Sequence, residues 1–543
     1  MIKFILILII YIIFLAYSLP VKKYLLSARE NRIYSTDLGY GFTFLIIISF
    51  LSNMLIPLKF LLLPVLFVGF FLILKNFPIY KKHFQKELFL IIISIAFFIQ
   101  INPLAGDTPF YHLQLIKWYS NYNMVFGISN LENRFGIISG WHHLVSIFNH
   151  EFYNFNFLYF INSIPLIVLI KLTYEESLTR INTVHQIFIL SVTSFLLIYS
   201  IIHPSYNGTI FNSVGSADAD SPGMYFYILS FYFFLKCLDS KKENDLAANI
   251  IFATLAYVSK LSYLPIVFLS IYLVFYLKIN LFKHIKFITF LIILNILWIF
   301  KFLVSTGCFI FPIDFTCFNF DWSIAQETVK GFASETSAFA RSKNNLQENY
   351  TNYDYYLNSY EWFLPWFKNF FIKIAFIKIS IIIIFLSFLI FIFNFNKFQI
   401  RQRKLQIFFI VFFFMISFFY WLIAPDIRFG YALFICFTML TVSIILNLFK
   451  SKINELNISK SIVISTFLVI ICIKNFKYQF DDNLYVLNRT FDYSNLYFYR
   501  NIGDFQIYKT SYGDCAFFEK ICIYSDLENL KITKKNNYLF ITK

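Results

Sequence analysis

Apolar runs of 17 to 20 residues recur along this chain, each cut by a short polar or basic stretch. A helix of that length crosses a hydrocarbon core of roughly 30 Å. A membrane-spanning barrel would show short alternating segments instead. The pattern predicts about 14 helical spans. They centre on 2–20, 41–57, 59–76, 87–104, 157–171, 185–202, 222–238, 246–259, 261–278, 286–306, 371–394, 405–424, 429–449 and 461–476. The expected fold class is an all-α polytopic membrane protein: a membrane module over 1–476 and a small external tail over 477–543. Spans 246–259 and 261–278 are short and meet at Ser259-Lys260, as a helix pair that need not cross fully would.

Composition agrees with the pattern. The chain is 59% hydrophobic and only 14% charged, where a soluble domain carries about 25% charge. Gly 15 and Pro 13 are low counts, which argues against a disordered or repetitive chain. Phe 75 and Tyr 37 reflect a bias of the whole sequence, so a single aromatic residue carries little functional weight.

The net charge of +16 reads as a topology signal and not as a nucleic-acid surface. Lys22, Lys23, Arg29 and Arg32 fall on one side, and Lys81, Lys82 and Lys86 return to it two spans later. The alternation continues through Lys171 and Arg180, then Lys236, Lys241 and Lys242, then Lys278, Lys283 and Lys286. It ends with Arg401, Arg403 and Lys404, then Lys450, Lys452 and Lys460. This side is assigned to the cytoplasm. The first span is expected to be retained, with an external N-terminus; a cleaved signal peptide is the alternative.

The opposite face then receives the loops 105–156, 203–221 and 307–366, the tail, and the turn Ala424-Pro425-Asp426-Ile427-Arg428. Asp107 stands where a span should leave the bilayer, followed by His112, Arg134, Trp141, His142 and His143. Ionisable groups at such a boundary are costly and point to function. Asp107-Thr108-Pro109 also suits a helix N-cap, and the same carboxylate can accept a proton from a substrate hydroxyl. In SADADSP, Asp218 and Asp220 at i, i+2 suit a shared divalent cation, and the alternative is an N-cap, with Asp220 or Ser221 before Pro222 opening the next span. Lys260 interrupts LAYVSKLSYLP and Arg428 sits in APDIRFGY. Each suits headgroup snorkelling or phosphate capture. His142 and His143, adjacent on a helix, are poorly spaced for a shared zinc ion. Trp141 suits an interfacial anchor or a sugar platform. Cys308 with Cys317, and Cys515 with Cys522, are near enough in sequence for disulfides on an oxidising face. Cys237, Cys436 and Cys472 lie in spans as packing residues.

With those residues placed, the chain resembles the GT-C superfamily of integral membrane glycosyltransferases. The likeness rests on GDTPFYH opening the early external loop, SADADSP on the same face, KLSYLP, and PDIRFGY. Over most of 85–450 it looks closer still to a group of bacterial polytopic membrane proteins related to those enzymes. The resemblance implies a GT-C-like bundle in a bacterial inner membrane with its active face periplasmic or extracellular. It implies a polyprenyl-phosphate-linked sugar as donor and a glycan or lipid as acceptor. Asp107 would be the base, and Arg428, with Lys260 beside it, would hold the departing phosphate. Asp218 and Asp220 would hold Mg or Mn or position the acceptor, beside His112, Arg134, Trp141 and His142. Relatives often carry paired acids in this loop, whereas no second acid follows Asp107 until Glu132, which puts metal dependence in doubt.

Two other classes compete. A polysaccharide polymerase or ligase using lipid-diphosphate donors would rest on Arg and His and dispense with Asp107. A transporter or lipid flippase would place its ionisable residues near the midplane and often show inverted repeats.

Overall fold

The protein is described by a computed structural model over residues 2–26, 33–100, 107–152, 155–179, 183–202, 214–342, 353–368, 377, 378, 380, 382, 404–448, 496–502, 505–510, 521–523 and 530–542. It is mostly helical. The helices that frame the site are α1 (Ile2–Leu26), α2 (Leu38–Asn53), α3 (Leu62–Lys75), α4 (Lys86–Gln100), α5 (Leu113–Asn121), α6 (Gly140–Ile147), α7 (Ser163–Ser177) and α8 (Val184–Ile202). They continue with α9 (Asp220–Ser240), α10 (Glu243–Ser259), α11 (Val267–Tyr276), α12 (Ile285–Thr306), α13 (Lys404–Leu422) and α14 (Ile427–Leu448).

Among the described residues, six helical stretches are long and apolar enough to cross a membrane: Ile2–Leu26, Ser35–Asn53, Leu58–Lys75, Leu158–Ser177, Leu281–Thr306 and Ile427–Asn447. Val184–Tyr199, Leu261–Tyr276 and Phe408–Leu422 are apolar but shorter. The expected span 461–476 lies outside the described residues, as does nearly all of 371–394. α9 and α10 pack as a hairpin at the centre. α9 is buried over almost its whole length. A helix sheathed by other helices does not face lipid, so it tolerates the Tyr, Ser and Lys residues that lower its hydropathy.

The ends of the bundle differ in chemistry. At the end assigned to the cytoplasm, polar groups bridge neighbouring helices. Lys22 pairs with Asp37 at 3.0 Å, Lys236 with Glu176 at 3.0 Å, and His185 with Asp239 at 3.1 Å. Lys171 donates to Gln85 at 3.4 Å and the Tyr174 hydroxyl to Glu87 at 3.0 Å. Lys22 and Lys171 are buried. Part of the charge pattern that sets topology is thus an internal layer of ion pairs and hydrogen bonds.

At the other end the connecting segments fold against one another. β1 (Val125–Phe126) lies in the loop after α5 and pairs in parallel with the distant strand Tyr538–Thr542. That strand is hydrogen-bonded antiparallel to Lys531–Lys535. A second sheet joins Leu496–Ile502, Phe505–Thr510 and Ile521–Ile523. The tail therefore adds short strands to a helical protein, and it docks on the first large loop. Asn130 donates to the Ile541 and Trp322 carbonyls at 3.0 and 2.9 Å, and Gln114 to the Cys522 carbonyl at 2.8 Å. Cys308 and Cys317 form a disulfide. Cys522 is also disulfide-bonded; its expected partner Cys515 lies outside the described residues. Cys237 and Cys436 are buried free thiols, as expected of packing residues, and Cys472 lies outside the described residues.

Candidate active site

Asp107 opens a single widened helical turn, Thr108–His112, that leads into α5. Its backbone is already helical and its side chain makes no cap hydrogen bond. The carboxylate instead meets Arg428 Nη1 at 2.5 Å. Arg428 sits in the first turn of α14, and Asp426 just before it accepts from the Arg428 backbone N–H at 2.9 Å. The other Asp426 oxygen accepts from Arg428 Nε and Nη2 at 3.2 and 3.1 Å. A fully buried carboxylate thus grips one edge of the guanidinium and leaves the Nη1 edge to Asp107. Trp421 Nε1 donates to the Asp426 carbonyl at 2.7 Å and fixes the turn. Close beside, Lys260 is ion-paired with Asp220, the first residue of α9. Its ammonium lies 4.6 Å from the centre of the Phe429 ring. The Asp107 side chain is 38% exposed and that of Arg428 25%, so water and solutes reach the pair.

The field at the site is set by these pairs. Burial pushes the Asp107 carboxyl up, but Arg428, then His112 and Lys260, outweigh it and hold it below its ordinary value. Burial pushes His112 down to about 3, against the pull of Asp107 and aided by Lys260, Arg428 and Arg134. His142 is driven well below its ordinary value, again mainly by burial. Both imidazoles are therefore neutral near pH 7, each with one donor and one acceptor nitrogen. Their rings lie 4.7 Å apart. His112 Nδ1 and both nitrogens of His142 have no hydrogen-bond partner among the described residues. Leaving such an atom unsatisfied costs about 1–3 kcal/mol, and both rings are buried. Arg134 lies 5.9 Å from the Tyr111 ring centre and beside Glu132; it borders the site without joining the central ion pairs.

Two expected site residues are placed elsewhere. Asp218 is buried, and its Oδ1 accepts from the backbone N–H groups of Asp220 and Ser221 at 2.8 and 2.9 Å and from the Ser221 hydroxyl at 2.9 Å. It satisfies the first backbone N–H groups of α9 from just ahead of the helix; Asp220 and Ser221, the expected caps, are instead the first two residues of the helix. Asp220 is paired instead with Lys260. Among the described residues, no three His, Cys, Asp or Glu side chains gather as metal ligands. Trp141 is fully buried, edge-on to Phe42 and Phe226, and donates to Asn162 Oδ1 at 2.6 Å. Asn162 in turn donates to the Asp218 carbonyl at 2.8 Å. Trp141 thus braces the loop against the start of α9; with no exposed face it is neither an interfacial anchor nor a sugar platform.

Asp426, in the turn already marked out in the sequence, is the clamp on Arg428. Phe429, which underlies Lys260, was not singled out there, nor was Lys301. Deeper in, Lys301 of α12 is buried and donates to Asn53 Oδ1 at 2.9 Å, with no carboxylate paired to it among the described residues. His143 stacks on Tyr119 beside it, the ring centres 3.8 Å apart. Lys301 breaks the apolar run LWIFKFLVST, which was the available signal.

Residues 1–435 match the model of a family described as a domain of unknown function, DUF8201. The chain belongs to that family. No curated protein and no solved structure matches it. The whole site, from Asp107 to Arg428, lies within the DUF8201 region. The strands of the tail lie beyond it, although Tyr538–Thr542 pairs with β1 inside it.

Proposed function

We propose that this DUF8201 protein is a membrane glycosyltransferase. It moves a sugar from a polyprenyl-phosphate donor to a hydroxyl of a glycan or lipid acceptor, on the non-cytoplasmic face of a bacterial inner membrane. The observation that carries this reading is the direct pairing of Asp107 with Arg428 across 321 residues of sequence, open to solvent and flanked by the Lys260–Asp220 pair.

In the proposed reaction the donor phosphate takes the Nη1 edge of Arg428 from Asp107. Asp426 keeps its grip, so the guanidinium stays in place. Two changes follow for Asp107. It loses its counter-ion, and it gains an anionic neighbour; both raise its proton affinity. The carboxylate then accepts the proton of the acceptor hydroxyl. The acceptor oxygen bonds to the anomeric carbon as the bond from that carbon to the phosphate oxygen breaks. The electron pair leaves with the phosphate, stabilised by Arg428 and Lys260 where the charge develops. A single displacement inverts the anomeric centre. Phosphate is a weakly basic leaving group, so no strong general acid is required, and neutral His112 and His142 are suited to hydrogen-bonding sugar hydroxyls.

The test is the lipid that accompanies the purified protein. Mass spectrometry is expected to find a polyprenyl phosphate on the wild type and a strongly reduced amount on Arg428→Ala. A lipid diphosphate in its place would favour the polymerase or ligase reading. Equal retention by both proteins removes Arg428 from phosphate binding and the proposal with it.

A further inference from the structure

We infer that the bundle holds an anionic phospholipid, one acyl chain deep, in a groove on the face opposite the candidate active site. The groove has a volume of about 440 Å³ and lies between α10, α11 and α12, with Leu26 at the end of α1 closing one side. Along α12 it runs from His284 through Ile288, Ile292 and Ile296 to Ile299. Fifteen residues of helix rise about 22 Å, against about 15 Å for half of a hydrocarbon core. A single acyl chain therefore fits lengthwise within one leaflet.

The chemistry of the groove selects its occupant. Thirteen of the seventeen lining residues are apolar, and Glu243, Asn244 and His284 stand towards the mouth. The polar residue at its deep end, Asn295, is already satisfied: its Oδ1 accepts from the Tyr257 hydroxyl at 2.6 Å and its amide donates to the Leu291 carbonyl at 2.8 Å. A hydrocarbon chain fits such a surface, whereas water or a polar solute would leave its own hydrogen bonds unmade. The mouth is different. Exposed Lys241, Lys242, Lys278, Lys283 and Lys286 each stand one or two residues from a lining residue at this end. Facing them, Glu243 pairs with Lys283 at 3.4 Å and with His284 at 3.6 Å, and Asp245 receives the Ser240 hydroxyl. Lys286 leans over Tyr24 of α1, 5.0 Å from the ring centre. Two acids against five lysines leave a basic rim just where a headgroup would lie if its tail filled the groove. Each lysine near an anionic lipid surface contributes about 1 kcal/mol. An apolar slot under a cationic rim fits an anionic headgroup better than a zwitterionic one.

The test uses the full chain in vesicles of equal parts phosphatidylcholine and phosphatidylglycerol, extracted gently and weighed by native mass spectrometry. One phosphatidylglycerol is expected to stay with each chain, preferred over phosphatidylcholine by about tenfold. Ile292→Trp fills the slot from a half-exposed position and should remove the retained lipid. Ile293→Trp, equally exposed on the same helix but outside the groove, should keep it. The double variant Lys283→Gln with Lys286→Gln should bring the preference to within about twofold, and it decides the matter if Ile292→Trp fails to fold. Equal retention of phosphatidylcholine by the wild type, or full retention by Ile292→Trp, overturns the inference. Neither result touches the glycosyl-transfer proposal, whose residues lie at the other end of the bundle.

Discussion

Arg428 divides its guanidinium between a buried carboxylate and a reachable one, and that division makes the site testable residue by residue. Asp107→Asn keeps the shape of the side chain but removes its charge and basicity. Turnover is expected to fall by about 10²–10⁴-fold, with helicity by circular dichroism unchanged. Arg428→Lys retains a charge but loses the fork that Asp426 grips; turnover should drop by about 10²–10³-fold. An unfolded Arg428→Lys would show that the clamp is structural. A different histidine governs pH. His83, between α3 and α4, meets the Tyr11 hydroxyl at 2.7 Å and the Ile33 carbonyl at 3.3 Å. Burial holds its imidazole down to about 4, with the Ile33 carbonyl resisting and Lys171 adding to the shift. The unfolded chain takes up that proton near pH 6.5, so stability is complete above that pH and lost as pH falls towards 4. Between pH 7 and pH 5 the loss is about 2 kcal/mol. His83→Gln should flatten this part of a thermal-stability profile; an unchanged slope would assign the effect to other groups.

At the scale of elements, the joint between β1 and the last strand rests on Gly127. Its φ of +70° is left-handed, and a Cβ there would stand 2.4 Å from the Ile541 carbonyl oxygen and 2.5 Å from that of Trp322. Gly127→Ala should cost on the order of 2 kcal/mol from backbone conformation alone, and should free the strand Tyr538–Thr542 for limited proteolysis. Cleavage at the wild-type rate would mean that the joint contributes little. None of this was visible beforehand, because strands of two to seven residues leave no strong pattern and their partners lie hundreds of residues away. Asp107, Lys260 and Arg428 were legible for the opposite reason: each interrupts a long apolar context, where a charge is conspicuous. That Trp141 and Asp218 are buried was not legible, because burial is a property of the packed bundle. A tryptophan in a polar loop and an acid before a proline look alike whether they face a pocket or a core. α9 and α10 carry polar residues along their length and are not among the long apolar helices.

The whole molecule is polarised: an ion-paired, lysine-rich end and an end where the tail docks on the first large loop and Asp107 pairs with Arg428. That polarity predicts sidedness. In cells, a membrane-impermeant maleimide should label Tyr360→Cys, at a position 91% exposed, without permeabilisation. Phe282→Cys, at a position 87% exposed at the lysine-rich end, should react only after permeabilisation. The reverse pattern would invert the proposed orientation of the site.

The pairing of Val125 with Leu539 sets a timetable for biogenesis. The two partners are separated by 414 residues, the difference of their numbers. A ribosome adding roughly 5–20 residues per second needs about 20–80 seconds to travel between them. In the proposed orientation, the first large loop waits across the membrane through that interval without the backbone that completes its sheet. A chaperone or protease on that side would meet it unguarded, and the last strand to arrive is the one that ends the exposure.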